Sequence, residues 1–330
     1  MGKFFITIMV CCCIVCLFSC DQLIRQQNDK DLVPTKIFAN EVDTTRAIAY
    51  VILDIEAFAN MPVSELEYAK VRQLITQIKP KIAPKKKYTK IEAIAILDLI
   101  DRSVAQMRIK QLSYGSTLYN SLRFQLFDCD INSFLFLTVA HELNLPIYAV
   151  MMPNHVAILW QNNNYEILWE TTEGRPRTKQ YYTKKYKLNK ELIATQKMLK
   201  PLNKKDLIAV AWFNIAKAYT DAEQLKQAEW ASKEAIKWQP NWYQPYTNLA
   251  RTMAKQKNDE VALYYCHYSL GLYPNQLFLL ELKAKCFDQL GCNTEAIAAY
   301  KTYRNSLPKT IHDYEGVKAK IKEKIRALDK

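Results

Sequence analysis

Residues 126–174 read LFDCDINSFLFLTVAHELNLPIYAVMMPNHVAILWQNNNYEILWETTEG. Asp128-Cys129-Asp130 precedes a near-continuous apolar run, Ile131 to Leu145, long enough for a buried helix that Pro146 ends. Ile147–Met152, Val156–Trp160 and Tyr165–Trp169 are each rich in strand-forming residues, with Asn162-Asn163 as a turn signal. The expectation is one buried helix followed by an antiparallel ladder. With the turn centred there, Trp160 faces Tyr165, and His155 falls directly opposite Glu170 on the same face. That spacing lets a carboxylate hold an imidazole nitrogen and fix its tautomer. Cys129 sits where the helix starts, and a helix N-terminus favours a thiolate. Asp128 and Asp130 oppose this by raising the thiol pKa.

Upstream, the pattern turns helical from Thr45. Ser64-Glu65-Leu66-Glu67 and Thr89-Lys90-Ile91-Glu92 match capping boxes ahead of apolar-periodic runs. Between them, residues 79–87 (KPKIAPKKK) form a solvated basic connection. Residues 181–203 read as a linker.

Beyond Lys204 the chain repeats. Pro240, Pro274 and Pro308 are 34 residues apart, as are Ala228, Ala262 and Ala296, and Ala216, Ala250 and Ala284. A 34-residue period with small residues and a terminating Pro resembles the tetratricopeptide repeat. Three copies are expected over 204–309, with a charged capping helix over 310–330. Glu223 and Lys257 stand where this repeat has Gly, and Lys283 where it has an apolar residue. The ninth position of each first helix, which lines the concave groove in that family, holds Lys217, Arg251 and Lys285. With Phe213 and Phe278 as apolar anchors, such a groove would take a peptide bearing acidic side chains or a free carboxylate.

The order of a helix-capping Cys129, a strand His155 and an acidic Glu170 on the next strand resembles the transglutaminase-like superfamily, a papain-like fold. The resemblance covers roughly residues 90–180. It implies an α+β domain of helices and a small antiparallel sheet over 45–180, followed by an all-α repeat solenoid. It further implies Cys129 as nucleophile, His155 as general base and acid, and Glu170 as orienter. The helix-start N–H groups would receive an oxyanion. Glu170 is one methylene longer than the family's usual Asp. No glutamine is assigned to the oxyanion site, although Gln125 is near in sequence.

At the N-terminus, residues 4–18 (FFITIMVCCCIVCLF) form an apolar core behind Lys3 that is shorter than the ~20 residues of a membrane span. Ser19-Cys20 then turns polar at Asp21, which resembles the lipobox of bacterial lipoproteins. The resemblance implies a signal segment 1–19, a lipidated Cys20 and a tether through residue 44. The implied setting is the bacterial cell envelope, with a membrane as partner. Net charge is +13, yet this address argues against nucleic acid. The chain has only 6 Gly, no GxGxxG and no GxxxxGK[ST], so no nucleotide loop or cofactor is expected. No Cys/His spacing suits a metal. Two functions follow: a tethered thiol peptidase, amidase or transamidase whose repeats recruit a protein or peptide, or a non-catalytic scaffold.

Overall fold

The computed structural model describes residues 43–111 and 117–329. The expected signal segment and Cys20 lie outside them. Two units separate after Trp242, one comprising the described residues up to and including it and the other those from Tyr243 onward.

The first unit opens with α1 (Ile48–Phe58), α2 (Glu65–Ile78) and α3 (Lys90–Gln106). Both expected capping boxes form. Ser64 N donates to Glu67 Oε2 and Thr89 N to Glu92 Oε2, each at 2.8 Å. A short parallel pair, β1 (Lys110–Gln111) and β2 (Leu126–Phe127), flanks α4 (Leu118–Phe124). The long helix α5 (Cys129–Leu143) then enters the core. Ile131, Leu135, Phe136 and Val139 on it are essentially fully buried, because α5 packs against α1, α2 and α3 as well as the sheet. A helix apolar on nearly all sides must be covered on nearly all sides. It stops at Asn144, whose left-handed φ of 51° ends the helix before Pro146 is reached.

The sheet runs β3 (Ile147–Met152), β4 (His155–Gln161), β5 (Glu166–Glu170) and β6 (Arg175–Arg177), each antiparallel to its neighbour. β6 was not legible in the sequence. Its two arginines flank a proline, with no alternating apolar pattern to mark a strand. The register differs from expectation by two residues: Trp160 pairs with Ile167 and Gln161 with Glu166. Asn162 is the cause. Its Oδ1 accepts the N–H groups of Asn164 and Tyr165, at 2.9 and 3.1 Å, and so closes a four-residue loop one step later. A two-residue shift preserves faces, since the side-chain period is two.

Residues 181–203 are not a free linker. They contain most of α6 (Lys179–Lys185) and all of α7 (Lys190–Thr195). Tyr182 and Leu199 join Val150, Met152, Ala157, Leu159 and Leu168 in one buried cluster against the sheet. Polar spacing hid this, because the buried residues are single aromatics and leucines between lysines. The unit ends with the first helix pair, α8 (Lys204–Asp221) and α9 (Leu225–Trp238). Trp212 on α8 meets Trp230 of α9 and Phe58 of α1 at ring-centroid distances of 5.0 and 6.3 Å. The first repeat is therefore built into the unit that holds the sheet.

The second unit consists of α10 (Tyr243–Lys255), α11 (Asp259–Leu272), α12 (Leu277–Gln289), α13 (Asn293–Ser306) and the closing α14 (Tyr314–Leu328). The second helices of the three pairs start at residues 225, 259 and 293 and end at 238, 272 and 306, so the 34-residue period is held at both ends. Glu223, Lys257 and Gly291 precede those helices with φ of 58°, 59° and 70°. The two residues in place of Gly thus adopt the left-handed backbone that Gly adopts without strain. Lys257→Gly is expected to stabilise the protein by about 0.5 kcal/mol. Relief of ~1 kcal/mol of left-handed strain outweighs the added unfolded-chain entropy. A urea midpoint equal to or below wild type would contradict this.

Candidate active site

Three elements bring the site together. Asp128 caps α5, its Oδ1 accepting the Ile131 N–H at 3.0 Å, which fixes Cys129 as the first helical residue. On β4, the Pro153-Asn154 turn aligns Met152 with His155, Asn154 taking a φ of 56°. On β5, Glu170 is the last strand residue and is fully buried.

His155 Nε2 and Glu170 Oε2 are 2.7 Å apart. The pair is diagonal in the ladder, because Ile158 faces Trp169 and the strand partner shift moves His155 past Glu170. A diagonal neighbour lies farther away than a direct one. Glu170, with its extra methylene, spans the gap that a shorter Asp would leave. The rest of the carboxylate is satisfied as well. Tyr182 Oη donates to Oε2 at 3.2 Å, while Thr172 Oγ1 and N donate to Oε1 at 2.6 and 3.2 Å. Burial pushes this carboxyl up, yet the bonds from His155 and Thr172 outweigh burial and hold it below the usual range. An ionised Glu170 takes the Nε2–H tautomer, which leaves Nδ1 as the imidazole's lone pair. The ring is held flat by Tyr186, stacked at 5.6 Å and 14°.

The thiol stands beside this pair. The Val156 backbone N–H, next to His155, hydrogen-bonds to the Cys129 side chain. Cys129 Sγ also donates to Asp130 Oδ1 at 3.6 Å. Burial above all, then the charges of Asp130 and Asp128, push the thiol pKa well up. Cys129, Cys266, Cys286 and Cys292 form no disulfide among the described residues. Cys266 is fully buried and pushed up to about 12, as expected of a packing cysteine.

Several neighbours escaped sequence reading. Tyr182 and Tyr186 lie in the segment read as a linker, and their i, i+4 spacing was the available signal. Gln125 serves the backbone instead. It ends α4 with φ of 56°, and its carbonyl accepts the Ile109 and Lys110 N–H groups at 2.8 and 3.3 Å. The glutamine held against the first turn of α5 is Gln111, whose Oε1 accepts from buried Asn132 at 3.2 Å. Among the described residues no group of three His, Cys, Asp or Glu could hold a metal.

The basic row is partly spoken for. Lys285 pairs with Glu281 at 2.5 Å, and the charge of Lys217 acts on Asp130. Phe213 stands edge-on to Trp242 at 5.1 Å, whereas Phe278 is 48% exposed.

Residues 131–210 match the family model of the transglutaminase-like superfamily. His155 and Glu170 fall inside the matched segment, and Cys129 lies just before it. The chain thus carries a transglutaminase-like domain with a small antiparallel sheet, followed by helical repeats. Domains of that superfamily are in general cysteine-dependent enzymes. Among curated proteins none matches the chain. Similar solved structures include the type III secretion translocator chaperone SycD of Yersinia enterocolitica, 10% identical over 36% of this chain and 81% of its own, with a TM-score of 0.33. The first TPR domain of human RPAP3 is 15% identical over 38% and 97%, with a TM-score of 0.34. PcrH from Pseudomonas aeruginosa is 16% identical over 40% and 98%, with a TM-score of 0.34. At these scores the likeness adds nothing to the chain's own 34-residue period, on which the repeats rest.

Proposed function

We propose that the chain is a cysteine-dependent acyl-transfer enzyme, a thiol peptidase, amidase or transamidase, tethered to a bacterial membrane through a diacylglycerol on Cys20. The observation that carries this reading is the 2.7 Å bond between His155 and a buried, fully satisfied Glu170, beside a thiol at a helix start. In the first step the Cys129 proton passes to His155 Nδ1 as Sγ attacks the substrate carbonyl carbon. The Cys129 and Asp130 N–H groups at the start of α5 receive the oxyanion, that of Ile131 being bonded to Asp128. Collapse breaks the C–N bond, and the leaving amine takes the proton from His155. Water or a second amine then attacks the thioester, giving its proton to His155, which returns it to Cys129. Glu170 remains ionised throughout and steadies the imidazolium.

The repeats bind a protein or peptide. In the second unit, Arg251 and Lys285 supply cationic character, and Phe278 and Leu290 supply exposed apolar surface. An acidic peptide fits this chemistry, although the Lys285–Glu281 pair weakens the attraction.

A scaffold without catalysis is the second reading, and one observation favours it: the thiol donates to Asp130 and is held protonated. Site-resolved alkylation of the full chain separates the two. Catalytic competence predicts that an electrophilic peptide labels Cys129 preferentially and that His155→Ala slows this about 100-fold or more. Labelling of Cys129 and Cys292 at equal rates, unchanged in His155→Ala, supports the scaffold. Intact-mass analysis tests the tether. A mature chain beginning at diacylated Cys20 is expected, and an unmodified Cys20 would refute it.

A further inference from the structure

The first repeat reaches the thiol. Asn214 on α8 is 3% exposed and lies among Ala211, Ile215 and Ala216, all buried. Asn is a poor helix former and a costly residue to bury unless bonded. Its Nδ2 donates to Asp130 Oδ2 at 3.2 Å, while Oδ1 has no partner among the described residues. Asp130 is thus the contact that accounts for a polar residue at this core position. The other oxygen of the same carboxylate receives the Cys129 thiol at 3.6 Å. A continuous line of bonds runs from the repeat helix through Asp130 to the sulfur.

We propose that Asn214 is a positioning residue for Cys129, acting through Asp130, so that the first repeat sets the reactivity of the thiol. This rests on the reading of Cys129 as the nucleophile. Asn214 orients the carboxylate so that one oxygen faces the sulfur, and it favours the ionised form of Asp130. Burial pushes the Asp130 carboxyl up, and the bonds from Asn214 and Cys129 and the charges of Lys217, one turn further along α8, and His155 on β4 work against that rise. In its ionised form Asp130 keeps the proton on sulfur, through its charge and the bond it accepts from Sγ. The groups facing the thiol are Asp128 capping α5, Asp130 on α5, His155 on β4 and Tyr186 after α6. A ligand that draws the Lys217 charge away from Asp130 would therefore change the thiol's reactivity, which ties repeat occupancy to chemistry.

The test is the pH profile of iodoacetamide alkylation at Cys129, resolved by mass spectrometry on the full chain. Removing the anion in Asp130→Asn is expected to move the profile to lower pH and to speed alkylation at pH 8 by about tenfold. Asn214→Leu, which suits the buried face, is expected to move it the same way by about threefold. The double variant should match Asp130→Asn alone. An Asn214→Leu profile equal to wild type, or an effect that persists undiminished in the double variant, overturns the proposal. Asn214→Ala repeats the measurement should the leucine variant fail to fold. Alkylation is stoichiometric and needs no turnover. A null result here with normal His155 dependence refutes the Asn214 link alone, while lost His155 dependence refutes the catalytic reading.

Discussion

Glu170→Gln is expected to lower turnover by about 100- to 10,000-fold while the protein stays folded. The wild-type carboxylate receives four donors: His155 Nε2, Tyr182 Oη, Thr172 Oγ1 and Thr172 N. A glutamine replaces one acceptor oxygen with an NH2 group. Placed toward His155, that group faces Nε2–H and drives the imidazole to the other tautomer, in which Nδ1 carries the proton and cannot accept one from sulfur. Placed toward Thr172, it faces two donors and leaves buried groups unpaired. Stability should therefore fall as well, by about 1–3 kcal/mol. The two effects separate with Tyr182→Phe, which removes a donor to the same oxygen but leaves the tautomer alone. That variant should retain turnover within about tenfold. Steady-state kinetics of the three proteins, with thermal melts alongside, checks the ordering. Equal losses in Glu170→Gln and Tyr182→Phe would mean that the carboxylate acts only as a structural anchor.

Gly174→Ala is expected to cost about 2–3 kcal/mol of stability. Gly174 closes the turn after β5, its N–H donating to the Glu170 carbonyl at 2.8 Å. Its φ is +63°, and a Cβ there would lie 2.9 Å from Asp101 Oδ2. Asp101 cannot simply swing aside, because it is buried and its other oxygen accepts the Trp169 indole N–H at 3.2 Å. Strain and contact therefore act together, at the turn that sets the Glu170 end of the His155–Glu170 pair. Urea unfolding gives the number. Gly174→Asn, tolerated better at positive φ, keeps the Cβ contact and should recover only part of the loss. Full recovery would assign the cost to backbone strain alone, and a loss below about 0.5 kcal/mol for the alanine variant would contradict both contributions.

Much of the architecture was legible because its signals are periodic. The capping boxes at Ser64 and Thr89, the apolar run of α5 and the 34-residue spacing each repeat one pattern over many residues. Features that depend on one side chain were harder. The ladder register turned on Asn162 bonding two backbone N–H groups, so His155 and Glu170 came to the same face by a diagonal that simple alternation does not distinguish from direct opposition. The segment after Gly174 carries Tyr182 and Tyr186 to the histidine, yet reads as polar because lysines surround them. The contact of Asn214 with Asp130 joins residues 84 positions apart, with no local pattern to announce it. Negative charge beside Cys129 was visible, but not that one of those carboxylates is held by the first repeat.

The central claim is that Cys129, His155 and Glu170 work as one unit. The direct measurement is the rate at which an activated acyl donor, such as a peptide p-nitrophenyl ester, forms and then clears a thioester on Cys129, followed by intact-protein mass in single-turnover conditions. A working Cys129–His155–Glu170 unit gives a transient adduct in wild type, none in Cys129→Ala, and formation at least 100-fold slower in His155→Ala. Acylation of wild type and His155→Ala at the same slow rate as an ordinary exposed cysteine, with no clearance, would contradict it.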